Sequence, residues 1–226
     1  MKVKHKQTFF EGVAILGFTA FLSKLLGAIY RIPYQNIAGD MGLGIYNKVY
    51  PLYSIVLILA TAGFPVAISK IVAEQAVEGN HQEAKRVLKV SIYLLSLSGL
   101  ALFLLLFFGS KMIAKLMGNP QLSLAIQSVS FALLIVPTMA AIRGYFQGYQ
   151  NMVPTAFSQM AEQMIRVFTI LLLAYYFMNH SRYGVHYAGA GAVFGAFTGA
   201  LAGLIVLLSF WRKITFGKHE ENQKAV

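Results

Sequence analysis

The chain has 226 residues, of which 57% are hydrophobic and only 12% are charged. Soluble domains carry about 25% charged residues, so this composition excludes an ordinary water-soluble globule. Nineteen Lys and Arg residues against eight Asp and Glu residues give a formal net charge of +11. These cations interrupt apolar runs and do not cover a polar surface, which argues against a nucleic-acid partner.

Six apolar segments follow one another along the chain, at residues 9–34, 44–74, 84–108, 122–149, 154–178 and 187–211. A hydrocarbon core of about 30 Å needs roughly 20 apolar residues in a helix, so each segment is long enough to cross it. Helices satisfy their own backbone hydrogen bonds in lipid. The sequence therefore predicts an all-α, polytopic transmembrane bundle of six spans, with kinks at Pro33, Pro51, Pro65 and Pro137.

The distribution of cations predicts the topology. With the N-terminus in the cytoplasm, twelve Lys and Arg residues fall on the inner side and five on the outer side, which favours both termini inside. We expect a six-helix transmembrane lobe over residues 1–211 in the cell membrane. Residues 212–226 are predicted to be a basic cytoplasmic tail, or a linker to a further lobe.

Two cations interrupt the first apolar segment, and charges inside a span usually face a bundle interior or a wet cavity. Lys24 and Arg31 are seven residues apart, which places them on one helix face, about 10 Å apart along the axis. Gly27 lies between them and leaves room for an anion. The alternative is that Arg31 extends to the lipid headgroups.

Two further polar groups stand in the fourth and fifth segments. Arg143 and Gln147 form a polar stripe beside Tyr145, suited either to gripping a sugar or to an interfacial belt. Glu162 and Arg166 have the i, i+4 spacing of an intrahelical ion pair. That pair either fixes helix packing or provides a proton or ion site at Glu162.

The last segment carries a glycine every fourth residue, and this spacing predicts close approach of another helix. The stripe consists of Gly191, Gly195, Gly199 and Gly203. It serves either packing within the lobe or a dimer.

The sequence offers no support for an enzyme, a metal site or a cofactor. It lacks cysteine, the histidines have no ligand spacing, and no catalytic triad, paired aspartates or Walker-type loop is present.

Three stretches resemble a known family: FLSKLLGAIYRIPYQNIAGDMGLGIYN, ATAGFPVAISKIVAE and RGYFQGYQNMVPTAFSQMAEQMIRV. They are similar to the oligosaccharide flippase branch of the multidrug/oligosaccharidyl-lipid/polysaccharide exporter superfamily. The strongest resemblance is to the group of stage V sporulation protein B and MurJ-like lipid II flippases. It extends over residues 12–211.

The resemblance implies a transporter that moves a lipid-linked diphosphate sugar across the cytoplasmic membrane by alternating access. It also implies two lobes around a cationic cavity, of which this chain resembles the N-terminal one. The missing C-terminal lobe or a second copy would complete the cavity. In the family a Ser-Arg-x-Leu-Gly motif precedes a further arginine. Here Ser23, Leu26 and Gly27 match the motif, and Lys24 replaces its arginine. Arg31 falls one position beyond the further arginine, where Tyr30 stands. The family's substrate-binding role is carried to Lys24 and Arg31, with Arg166, Arg143 and Gln147 beside them.

Two other functions stay open from the sequence. One is a cation-coupled drug antiporter of the same superfamily, which would depend on titration of Glu162. The other is a non-transporting membrane scaffold in envelope or spore assembly.

Overall fold

The computed structural model describes the backbone of residues 2–180 and 184–224, with the side chains of residues 11–180 and 184–212. That part of the chain contains α-helices and short 3-10 turns and no strand, which confirms the all-α prediction. The helices are α1 (Lys2–Ile29), α2 (Arg31–Thr61), α3 (Phe64–Val77), α4 (His81–Leu116), α5 (Ser123–Ser130), α6 (Val136–Gly148), α7 (Val153–Asn179) and α8 (Val185–Lys224).

Seven of the cations that set the predicted topology lie outside the described side chains: Lys2, Lys4, Lys6, Arg182, Lys213, Lys218 and Lys224. The backbone of α8 continues as helix to Lys224. The role of residues 212–226 as a tail or linker stays a prediction.

Five runs in the described part of the chain are long and apolar enough to cross a membrane. The first, Glu11–Val77, has 67 residues. As a straight helix it would be about 100 Å long, three times the thickness of the hydrocarbon core. It therefore holds two of the six predicted segments, and the chain is a multi-pass membrane protein.

The chain reverses direction at Gly39, inside α2. Gly39 has φ 67° and ψ −177°, a backbone conformation that favours glycine. Tyr30 and Tyr46 would be about 24 Å apart along a continuous helix, yet their ring centroids are 5.9 Å apart. This reversal falls between the first two predicted segments, residues 9–34 and 44–74. Pro33, where a kink was predicted, sits in the first turn of α2, where a proline is tolerated.

A proline also divides the fourth predicted segment. Pro137 is the second residue of α6, and a 3-10 turn at Phe131–Leu134 separates α6 from α5. Its ring cannot fit against the carbonyl four residues earlier, which belongs to Leu133. That freed carbonyl lies against Gly99 of α4, where a Cβ atom would clash with it. The predicted kink is thus a break in the helix that a neighbouring glycine accommodates.

The two ends of the bundle are marked by contacts between distant residues. At one end, here called the Tyr149 end, the His81 ring nitrogen Nδ1 is hydrogen-bonded to the Tyr149 hydroxyl at 3.1 Å. At the other, the Gly39 end, the backbone at Gly42 approaches Val185 at the start of α8. Successive spans therefore alternate in direction between these two ends.

Candidate functional site

A cluster of three charged side chains lies inside the bundle. The Glu162 carboxylate of α7 accepts a hydrogen bond from Arg143 Nη2 of α6 at 2.8 Å and a second one from Arg166 Nη2 on its own helix. The side chains of Arg143, Arg166 and Glu162 are only 16%, 13% and 14% exposed. The predicted i, i+4 neighbours are therefore joined by an arginine from another helix, and the carboxylate is held from two sides.

Hydrogen bonds extend this cluster to two more helices. Arg143 Nη2 also donates to Ser158 Oγ at 2.8 Å, and Ser158 Oγ donates to the Gly203 carbonyl of α8 at 3.0 Å. On the other side, Arg166 Nη1 donates to the Tyr50 hydroxyl of α2 at 3.2 Å. The cluster thus connects α2, α6, α7 and α8 at one level of the bundle.

The cluster has one more positive than negative group, so its formal charge is +1. The Nε–H groups of Arg143 and Arg166 are buried and have no hydrogen-bond acceptor among the described residues. A buried charge costs free energy unless an opposite charge or hydrogen bonds compensate it. The electrostatic field inside the bundle therefore favours an anion over a cation.

The two cations of the first span lie elsewhere. Lys24 of α1 and Arg31, the first residue of α2, are both exposed. Gly27 is on the packed face, where an added Cβ atom would lie 3.2 Å from Gln163 Nε2 of α7. Neither Lys24 nor Arg31 forms an ion pair or hydrogen bond within the described residues. They present free positive charge on an open face of the lobe.

The polar stripe predicted around Arg143 is divided in the structure. Arg143 turns toward Glu162, whereas Gln147 is half-buried on the next turn of α6. Tyr145 is 8% exposed and packs on Trp211, with ring centroids 5.1 Å apart. A sugar ring has little of Tyr145 to stack on in this conformation.

The glycines of the RGYFQG motif bring α6 close to α3. A Cβ atom on Gly144 would lie 2.8 Å from the Pro65 carbonyl oxygen, and one on Gly148 would lie 2.7 Å from Val72. This close packing fixes the position of Arg143, which stands next to Gly144 in the chain.

The glycine stripe of α8 packs against α7 along its whole length. A Cβ atom would lie 2.9 Å from Leu173 at Gly191, 2.6 Å from the Glu162 carbonyl oxygen at Gly199, and 3.1 Å from Ser158 Oγ at Gly203. Gly195 likewise meets Ile170 at 2.9 Å. Because α7 covers this stripe, it cannot also be the contact face of a dimer.

Sequence reasoning missed Tyr50 and Ser158. Tyr50 belongs to an aromatic row on α2, where its ring stacks on Tyr46 at 5.1 Å, and nothing in its spacing distinguishes it from a packing residue. Ser158 precedes Gln159 in a polar stretch of α7, which is a weak signal. Both pair with arginines far away in sequence, so only the folded chain reveals them.

Three relatives in Bacillus subtilis (strain 168) match most of this chain. "Uncharacterized membrane protein YabM" is 41% identical over 203 residues, which cover 90% of this chain and 37% of that protein. "Lipid II flippase MurJ" is 33% identical, with coverage of 90% and 39%, and "Stage V sporulation protein B" is 33% identical, with coverage of 95% and 42%. The chain thus spans about two fifths of the length of these relatives.

The fold also matches a solved transporter structure. The crystal structure of MATE in the straight conformation superimposes with a TM-score of 0.72 at 15% identity, covering 94% of this chain and 47% of that one. The fold is therefore that of one half of a MATE-like transporter. The family model for polysaccharide biosynthesis proteins matches residues 9–226. Together with the relatives, this match confirms the resemblance drawn from the sequence motifs: the chain belongs to the polysaccharide biosynthesis protein family.

Proposed function

We propose that this chain forms one lobe of a flippase that moves a lipid-linked oligosaccharide or peptidoglycan precursor across the cytoplasmic membrane by alternating access. The observation that carries the proposal is the pair of unpaired cations, Lys24 and Arg31, on an open face of a membrane-embedded lobe. The similarity to a lipid II flippase supports the choice of substrate class.

The chemistry of these cations suits a diphosphate. Charge-assisted hydrogen bonds to phosphate are about twice as strong as neutral ones, and they gain further in a cleft with little water. A separation of about 10 Å along the helix allows Lys24 and Arg31 to bind an extended diphosphate-sugar head at two points. Arg143 and Arg166 already form ion pairs with Glu162. In this proposal they therefore contribute positive electrostatic potential and hold the helices in position. Gln147 lines the path by which the substrate approaches.

The open face of α1 needs a facing wall before it can enclose a substrate. A second lobe, or a second copy of this lobe, supplies that wall in the proposal, in keeping with the length of the relatives. The distribution of Lys and Arg residues favours both termini in the cytoplasm, and the proposal adopts this orientation. The substrate then enters from the Tyr149 end and leaves at the Gly39 end.

The test is complementation of a flippase-deficient strain by the full-length protein carrying Lys24→Ala. Loss of one charge-assisted hydrogen bond of about 1.5–3 kcal/mol predicts a fall in transport of at least about tenfold, and we expect growth to fail. Transport is measured in parallel by accessibility of the labelled precursor at the outer surface.

Lys89→Ala is the matched control, because Lys89 is also an exposed lysine and lies on α4. It is expected to support normal growth. Membrane insertion of both variants is checked by immunoblot. Full growth and transport with Lys24→Ala at normal protein levels would refute the assignment.

A further inference from the structure

A cavity of about 420 Å³ opens at the Gly39 end of the lobe, away from the charged cluster. Four phenylalanines from four elements form its walls: Phe107 of α4, Phe131 of the 3-10 turn, Phe177 of α7 and Phe194 of α8. Lys24, Arg31 and Glu162 are not among the lining residues. The cavity is therefore a feature separate from the proposed transport site.

Packed residues hold the cavity open. The Phe131 ring contacts Phe107 edge-on at 5.7 Å and Phe194 edge-on at 6.3 Å between centroids. Ala190 and Gly191 also line it, and a Cβ atom on Gly191 would lie 2.9 Å from Leu173 of α7. The shape thus follows from helix packing, and a ligand meets a preformed site.

The lining is suited to hydrocarbon. Its polar side chains include Gln127 and Ser128, and Ser128 Oγ already donates to the Ala190 carbonyl at 2.7 Å. Among the described residues that line it, none is charged. A buried water needs two to four polar partners, whereas apolar cavities bind apolar ligands.

The surroundings indicate which hydrocarbon is available. Phe108 and Met112, beside the cavity on α4, are 77% and 70% exposed, and large apolar side chains with that exposure face lipid in a membrane protein. Lys111 stands one turn beyond Phe107 on the same helix face, toward the Gly39 end, and it is exposed. A basic residue at that height attracts the phosphate of an anionic lipid.

We propose that this cavity binds one acyl chain of an anionic phospholipid, whose phosphate pairs with Lys111. An acyl chain that fills the cavity supplies the aromatic walls with dispersion contacts that an unfilled cavity lacks. The ligand is a phospholipid and not a polyprenyl diphosphate, because phospholipids are the lipids that make up the bilayer beside the cavity mouth. The site would couple the lobe to the composition of one leaflet.

The experiment uses the full-length protein in vesicles of phosphatidylethanolamine and phosphatidylglycerol. The probe is phosphatidylglycerol with a photoreactive diazirine at the end of one acyl chain. After irradiation, labelled peptides are mapped by mass spectrometry. We expect labelling to concentrate on residues 127–131 and to fall when unlabelled phosphatidylglycerol is added in excess. Uniform labelling of all lipid-facing helices would overturn the proposal.

Two variants and a control sharpen this test. Gln127→Trp fills the cavity and should reduce labelling of its lining about fivefold, whereas Leu105→Trp on the lipid-facing side of α4 should leave that labelling unchanged. Lys111→Gln should reduce the preference for phosphatidylglycerol over phosphatidylethanolamine about fivefold, the effect of one basic residue near an anionic surface.

Two further outcomes would contradict the proposal. Undiminished labelling in a monodisperse Gln127→Trp protein contradicts the site. Displacement of the probe by undecaprenyl phosphate at lower concentration than by phosphatidylglycerol assigns the cavity to a polyprenyl chain and overturns the phospholipid. The competition experiments use the wild-type protein, so they test the proposal even if a variant fails to fold. If labelling contradicts this site while the complementation assay gives its expected results, the phospholipid proposal fails and the proposed function stands.

Discussion

Glu162→Gln is expected to destabilise the protein by about 3–5 kcal/mol, the range for removing one partner of a buried ion pair. The substitution keeps the shape of the side chain and removes the negative charge between Arg143 and Arg166. Two guanidinium groups, each less than one fifth exposed, would then face one another without a counter-charge. Thermal unfolding of the purified protein, followed by the fluorescence of Trp211, measures the loss.

Glu83→Gln is the control for this prediction. Glu83 pairs with Arg86 at 3.6 Å on the surface, with side chains 54% and 75% exposed, and exposed pairs contribute at most about 1 kcal/mol. Its unfolding temperature should stay close to that of the wild type. If Glu162→Gln lowered the unfolding temperature as little as Glu83→Gln, the ion pairs of Glu162 would not stabilise the fold.

Gly199→Ala is expected to separate α8 from α7 and to cost about 1–3 kcal/mol, as overpacking does in tight cores. Its new Cβ atom would lie 2.6 Å from the Glu162 carbonyl oxygen and 3.1 Å from Arg166 Cβ. Neither neighbour is the end of a flexible side chain, so the helices themselves must move. Since the displaced turn carries Glu162, we expect transport to fall together with the unfolding temperature.

Gly17→Ala provides the comparison, because a Cβ atom there meets no atom within 4 Å. In a helix this change should be neutral or stabilising by up to about 1 kcal/mol. A Gly199→Ala protein as stable and active as Gly17→Ala would show that the glycine stripe is not needed for close packing.

Both predictions concern the same turn of α7, which explains why charge and packing are coupled there. Gly199 and Gly203 let α8 approach so closely that the Gly203 carbonyl accepts a hydrogen bond from Ser158. Ser158 in turn accepts one from Arg143, which binds Glu162. A larger residue on the glycine stripe therefore changes the geometry of the ionic cluster as well as the helix separation.

Local sequence by itself determined the membrane class, the helical fold and the approximate positions of the segments. These follow from run length and composition, because a chain in hydrocarbon must satisfy its backbone hydrogen bonds locally. The i, i+4 relation of Glu162 to Arg166 and the common face of Lys24 and Arg31 likewise follow from helix geometry. The motifs also identified the family, since they include residues whose spacing is rarely repeated elsewhere.

Only the tertiary structure decided which charged side chains form ion pairs and which stay unpaired. Arg143 lies 19 residues before Glu162 in the chain, and its pairing depends on the break at Pro137 and on the close approach of α6 to α3 at Gly144. The chain reversal falls in the gap between the predicted segments 9–34 and 44–74, but only the structure shows that it occurs at Gly39, with a positive φ. Contacts between helices depend on side-chain shape at positions distant in sequence, and helical periodicity carries no information about them.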